Sequence, residues 1–235
     1  MPASSPLIVF DLDGTLVDTA DDLIAALNHV LALEGATTVA RAAARHMVGH
    51  GARMLITRGL AADNRTVSAA RLEELFQAFI AYYSAHIAVH SQVFPGVNAA
   101  LDLLAAQGFD FAVCTNKYES ASRDLLAHMR LADRFSIICG QDTFAFCKPD
   151  PRTLLATIAA AGGDPSRSIM VGDSRTDIDT AKAAGVPVVA VDFGYTDQHV
   201  SAFGPNHVIS HYDELEPAVA LLLAGKIRQP ARQAT

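Results

Sequence analysis

The stretch Leu7-Ile8-Val9-Phe10-Asp11-Leu12-Asp13-Gly14-Thr15 runs from four apolar residues straight into two aspartates two positions apart. An apolar run that short, ending in polar residues, is the pattern of a parallel strand covered on both faces. In an extended backbone, positions two apart point the same way, so Asp11 and Asp13 face one site at the strand exit. Two such aspartates are explained equally well as capping groups, and the pair alone does not decide between structure and chemistry.

Working outward, similar apolar runs recur at 109–114 (FDFAVC), 136–139 (SIIC), 168–172 (SIMVG), 186–191 (VPVVAV) and 207–210 (HVIS). Helical patterns lie between them, such as ESASRDLLAHMR from Glu119 and PRTLLATIAAAG from Pro151, the latter opened by Asp150 as N-cap and closed by Gly162. Strand alternating with helix predicts right-handed crossovers and an α/β fold. Its core is a doubly wound, Rossmann-like parallel sheet that binds ligands at the carboxyl ends of its strands.

Residues 19–92 break the alternation. They hold only helical patterns, among them TADDLIAALNHVLALEG from Thr19 and AARLEELFQAFIAYYSAHI from Ala69. The expected organisation is a core of residues 1–18 and 93–235 with an inserted helical cap domain, 19–92, returning near Phe94-Pro95-Gly96, where Pro and Gly make a natural boundary. A cap inserted there sits over the strand ends and can close on a substrate.

Three further features stand at later strand ends: Thr115-Asn116, Lys148-Pro149, and Gly172-Asp173-Ser174 with Asp177. Each has an ordinary explanation as a polar turn, a solvated lysine or an N-capping aspartate. Together they gather carboxylates, a lysine and hydroxyl donors around one crevice, a cost that folding rarely accepts without a metal and an anion to bind.

With those residues in view, the chain resembles the haloacid dehalogenase superfamily. Its four motifs read here as DLDGTLVD, TN, KP and GDSRTD, in family order, over a stretch from Leu7 to beyond Asp213. The resemblance implies a hydrolase with Asp11 as nucleophile, Asp13 as general acid and base, and Thr115, Asn116 and Lys148 holding the phosphoryl group. It also implies Mg2+ bound by Asp11, the Asp13 backbone carbonyl and Asp173, with Asp177 acting indirectly. Members that displace halide generally lack the second aspartate, so phosphoester hydrolysis is expected rather than dehalogenation.

Within the superfamily, VGHGARMLITRGL at 48–60, Asn116-Lys117, GDSRTDIDTAKAAG at 172–185 and Phe193-Gly194-Tyr195 resemble the phosphoglycolate phosphatase family. The partner implied is a small phosphorylated metabolite. His50 and Arg53, on or beside the Gly49-His50-Gly51 turn, are the candidate cap residues for a substrate carboxylate. Phosphatases for sugar phosphates or pyrophosphate, and a phosphosugar mutase, share the same catalytic set. A phosphorylatable signalling module is a distant alternative, since such modules have no large helical insertion.

Composition narrows the classes. A net charge of -7 disfavours nonspecific nucleic-acid binding. No apolar stretch reaches the roughly 18 residues of a membrane span. The first apolar run meets two aspartates where a signal peptide needs apolar residues, and three cysteines without CxxC spacing suit a reducing, cytoplasmic setting. His46 and His50 are four apart, but Gly49 interrupts the helix between them and zinc is not expected. No strand precedes Gly49-His50-Gly51, which argues against a nucleotide loop.

Overall fold

The computed structural model describes residues 5–40, 47–48, 51–196 and 198–227. The first strand, β1 (Leu7–Phe10), is buried at every residue. It lies between β4 (Asp110–Cys114) and β6 (Ser168–Gly172), with β5 (Ile137–Cys139) beyond β4, and β7 (Val188–Val191) then β8 (His207–Ile209) beyond β6. All five pairings are parallel. The order β5-β4-β1-β6-β7-β8 leads the chain away from β1 in both directions, so the carboxyl end of β1 is the topological switch point where such sheets bind ligands.

Side chains alternate across the sheet as the pleat requires. Leu7 and Val9 pack with Leu154 and Ile158 of α6 (Pro151–Ala160) and with Ile178 and Ala181 of α7 (Arg175–Ala184). Ile8 and Phe10 face the opposite layer, where α4 (Val97–Ala106), α5 (Glu119–His128) and α8 (Leu215–Ile227) contribute Leu101, Leu125 and Leu215. The expected cap on α6 is present: the Asp150 side chain accepts from Arg152 N, and Gly162 follows the helix at φ 73°.

The helical insert comprises α1 (Ala20–Leu33), α2 (Ala52–Ala62) and α3 (Ala69–Ala85). Its apolar faces bury Leu27, Ile56, Leu60 and Phe79, and this cluster runs unbroken into Ile8 and Phe10 of the sheet. At the base of the insert is a ribbon that the sequence reading did not anticipate: β2 (Val17–Asp18) pairs antiparallel with β3 (Gln92–Val93). Asp22, buried in the first turn of α1, reinforces this junction. Its carboxylate accepts from His90 N, Ser91 N and Ser91 Oγ at 2.7 to 3.1 Å.

Candidate active site

Phe10 at the end of β1 is in register with Val113 on one side and Val171 on the other. Asp11 is therefore level with Cys114 and Gly172, the last residues of β4 and β6, and Thr115 and Asp173 follow one position on. This parallel register brings Asp11, Thr115 and Asp173 to one edge despite their separation in sequence. Asp11 N donates to Val171 O at 2.9 Å and Thr115 N to Cys139 O at 3.0 Å, which fixes both strand exits.

Lys148 enters from the turn before α6. Its side chain is only 2% exposed, and Nζ lies 2.8 Å from Asp11 Oδ1 and 2.6 Å from Asp177 Oδ1. Asp177 is itself held by a capping box at the start of α7: its Oδ2 accepts from Ser174 N and Ser174 Oγ, while Ser174 Oγ accepts from Asp177 N. One aspartate thus caps a helix with one oxygen and grips the lysine with the other. Asn116 completes the support of Lys148. Its Nδ2 donates to Lys148 O at 2.9 Å and its Oδ1 accepts from Lys148 N at 3.0 Å, so the side-chain amide is engaged by the lysine backbone.

Asp11, Asp173 and Asp177 are all buried and offer oxygens within 4.8 Å of one another. Three carboxylates share one ammonium. Asp11 Oδ1, although ion-paired with Lys148, lacks an aligned hydrogen bond. Burial pushes the Asp11 carboxyl up to about 6; Lys148 opposes that rise and Asp177 adds to it. Asp173 is raised well above the usual carboxylate range by burial first, then by Asp177 and Asp11. For Lys148, burial acts downward, but Asp11 and Asp177 more than offset it and the ammonium is held charged. An under-satisfied buried oxygen in an all-oxygen, net-negative cluster fits a bound metal cation.

Two glycines shape the place where Asp173 sits. A Cβ on Gly14, whose φ is 82°, would meet Asp173 Oδ2 at 2.5 Å, and one on Gly194 would meet Asp173 Cβ at 2.2 Å. Between them Asp173 Oδ2 accepts from Tyr195 N at 2.8 Å.

A family model described as haloacid dehalogenase-like hydrolase matches residues 8–191. The chain belongs to that family. Among its relatives, a phosphoglycolate phosphatase of Mesorhizobium japonicum is 53% identical over 92% of this chain and 96% of the relative. One from Caulobacter vibrioides is 44% identical over 92% and 91%. A crystal structure from Haemophilus somnus 129pt, titled a predicted phosphoglycolate phosphatase, superposes with a TM-score of 0.84 at 27% identity, covering 91% of this chain and 97% of that one.

In this haloacid dehalogenase-like hydrolase the second aspartate, Asp13, stands apart from the acidic cluster. Thr19 Oγ1 donates to its Oδ1 at 2.7 Å, and Lys117 Nζ lies 3.1 Å from both of its oxygens. Lys117 also donates to the Tyr83 hydroxyl at 2.8 Å, which joins α3 of the insert to the sheet edge that carries Asp11. Burial pushes the Tyr83 phenol up to about 12, so it keeps its proton at neutral pH. In the sequence Lys117 extends Thr115-Asn116 without a role of its own, and Tyr83 carries no local signal. The signal for Lys117 was its place two residues beyond a strand end.

A cavity of about 100 Å3 separates the sheet edge from the insert. Asp11, Asp13, Thr115 and Lys117 line it below, and Leu55, Phe76, Phe79 and Tyr83 above. Arg53 is not among these lining residues. Its side chain is 47% exposed, pairs with Glu73 at 2.9 Å and lies 3.5 Å over the Phe76 ring. His50 falls outside the described residues.

Tyr195, which the sequence marks only as part of a Phe-Gly-Tyr turn, bonds on two sides at once. While its backbone N–H holds Asp173, its hydroxyl contacts Asp18 Oδ1 at 2.7 Å and accepts from Thr19 N and Ala20 N, at the base of the insert.

Proposed function

We propose that this haloacid dehalogenase-like hydrolase is a magnesium-dependent phosphatase that acts through an aspartyl phosphate on Asp11, with 2-phosphoglycolate as its preferred substrate. The observation that carries the proposal is Asp11 itself: a buried carboxylate at the switch point of the sheet, ion-paired with Lys148 and lining the cavity that Asp13 also lines. The names of the relatives support the substrate. The cavity volume of about 100 Å3 also favours a small ester, since pockets for drug-sized ligands begin near roughly 300 Å3.

In this reading an Asp11 oxygen attacks phosphorus and the bond to the ester oxygen breaks. Asp13 protonates the leaving alkoxide, a poor leaving group without that proton. Asp13 then takes a proton from water, which attacks the phosphorus of the aspartyl phosphate, releases inorganic phosphate and restores Asp11. Lys148 neutralises charge on the equatorial oxygens, and the Thr115 hydroxyl, which accepts from Lys117 N at 3.2 Å, keeps its own proton to donate to the same group.

Asp11, Asp173 and the Asp13 carbonyl would hold Mg2+, an ion that prefers hard oxygen ligands. Bound there, Mg2+ supplies positive charge against the phosphoryl oxygens. Asp177, with both oxygens already engaged, acts through Lys148. Residues 19–92 serve as a cap that closes over the substrate and keeps bulk water from the intermediate, with 1–18 and 93–235 as the catalytic core. A reducing, cytoplasmic setting is supported by free Cys114, Cys139 and Cys147.

The test is phosphate release from a panel of small phosphorylated metabolites, with magnesium and again with chelator. The proposal expects the highest efficiency on 2-phosphoglycolate and loss of release on chelation. Release that survives chelation, or a preference for a sugar phosphate, would overturn the corresponding half of it.

A further inference from the structure

We infer that Lys117 is the residue that selects a carboxylated substrate, its ammonium receiving the carboxylate beside the Tyr83 hydroxyl. The inference rests on the phosphoglycolate reading above and assigns the contact that reading lacks. Among the described residues lining the cavity, Lys117 is the only one with a positive charge. The other polar lining groups include the carboxylates of Asp11 and Asp13, which repel an incoming acid.

Substrate geometry narrows the choice further. In 2-phosphoglycolate a single methylene separates the ester oxygen from the carboxyl carbon, so a cation reading the carboxylate must stand within a few ångströms of the group that protonates the ester oxygen. Asp13 is that group, and Lys117 Nζ lies 3.1 Å from both its oxygens. Arg53, the cation anticipated from the sequence, is instead paired with Glu73 and stacked on Phe76.

Lys117 is also able to share its charge. Asp13 keeps the 2.7 Å bond from Thr19 Oγ1 independently of the lysine. An ammonium has three donors, and a phenol that accepts from Lys117 keeps its own proton for another acceptor. Lys117 and Tyr83 therefore form a two-donor seat, one donor from the sheet edge and one from the insert, and an acid bound there draws the two parts together.

The experiment compares kcat/KM for 2-phosphoglycolate, ethyl phosphate and phosphoethanolamine in wild type, Lys117→Gln, Lys117→Arg and Tyr83→Phe, with thermal melts confirming that each variant folds. Lys117→Gln is expected to lose at least about 30-fold of the preference for phosphoglycolate over ethyl phosphate, the scale of a broken buried charge contact. Lys117→Arg should retain part of that preference. Lys117→Gln should also gain relative efficiency on phosphoethanolamine, whose ammonium the lysine repels; a residue that merely positions Asp13 would not produce that gain. If wild type prefers phosphoglycolate and Lys117→Gln keeps the ratio within about twofold, the scatter of independent sites, the inference fails while the substrate reading stands. If wild type has no preference for the acid, the substrate reading fails and the inference with it.

Discussion

Asp177 Oδ1 lies 2.6 Å from Lys148 Nζ, and the capping box at the start of α7 keeps it there through the other carboxylate oxygen. Lys148 is thus aimed by a helix terminus. Asp177→Asn should lower kcat about 10- to 100-fold, the usual effect of removing a residue that orients the groups around a metal site. It should also lower the melting temperature, because Lys148 stays buried with one partner fewer. Turnover kinetics and thermal melts check both, and wild-type kinetics in this variant would remove Asp177 from the account.

Gly194→Ala places a Cβ 2.2 Å from Asp173 Cβ, closer than any real contact, so Asp173 has to move. The expected result is a magnesium requirement shifted upward by about tenfold or more, with far-ultraviolet circular dichroism unchanged. Titrating activity against magnesium measures it, and an unchanged midpoint would mean that Asp173 tolerates displacement.

Metal-free stability should fall as pH rises from about 4 to 6. The unfolded chain releases the Asp11 proton near 3.8 and the folded chain near 6, so within that window the folded state binds more protons and loses stability with each step upward. Above the window Asp11 is ionised in both states and its own contribution is constant, while Asp173, also raised by burial, acts in the same direction. Magnesium binds the ionised form, so its stabilising effect should be larger at pH 7.5 than at pH 5. Melts with magnesium and with chelator at both pH values decide it, and equal increments would contradict the Asp11 contribution.

Asp13→Asn should cut turnover of alkyl phosphates by roughly two to four powers of ten, the range for lost general acid-base catalysis. A nitrophenyl ester, whose leaving group needs little protonation, should suffer much less in its first step. Equal losses on both esters would assign Asp13 some other task.

How far the sequence could be read depends on the reach of each interaction. β1 and the two aspartates were legible because an apolar run and a two-residue spacing are local signals, and the alternation of later strands and helices pointed to a doubly wound parallel sheet, though not to the order of its strands. Strands β2 and β3 were not legible, since two residues each carry no periodicity. Lys148 stood out as a residue, but its burial depends on Asp177, 29 positions away. Asn116 was read as a phosphate contact; it lines the cavity, and its side chain also engages the Lys148 backbone, a second task that only the folded turn reveals. The Lys117 to Tyr83 contact joins the sheet edge to α3 across 34 positions, and nothing local in either segment announces it.

The central claim is that the phosphoryl group passes through the Asp11 carboxylate before reaching water. The most direct measurement is the stereochemical course at phosphorus, using a thiophosphate ester made chiral with two oxygen isotopes and hydrolysed in water carrying the third, so that the released thiophosphate is itself chiral. Two successive in-line displacements, first by Asp11 and then by water, predict retention of configuration in the transferred group. Inversion would mean a single direct attack by water and would contradict the account.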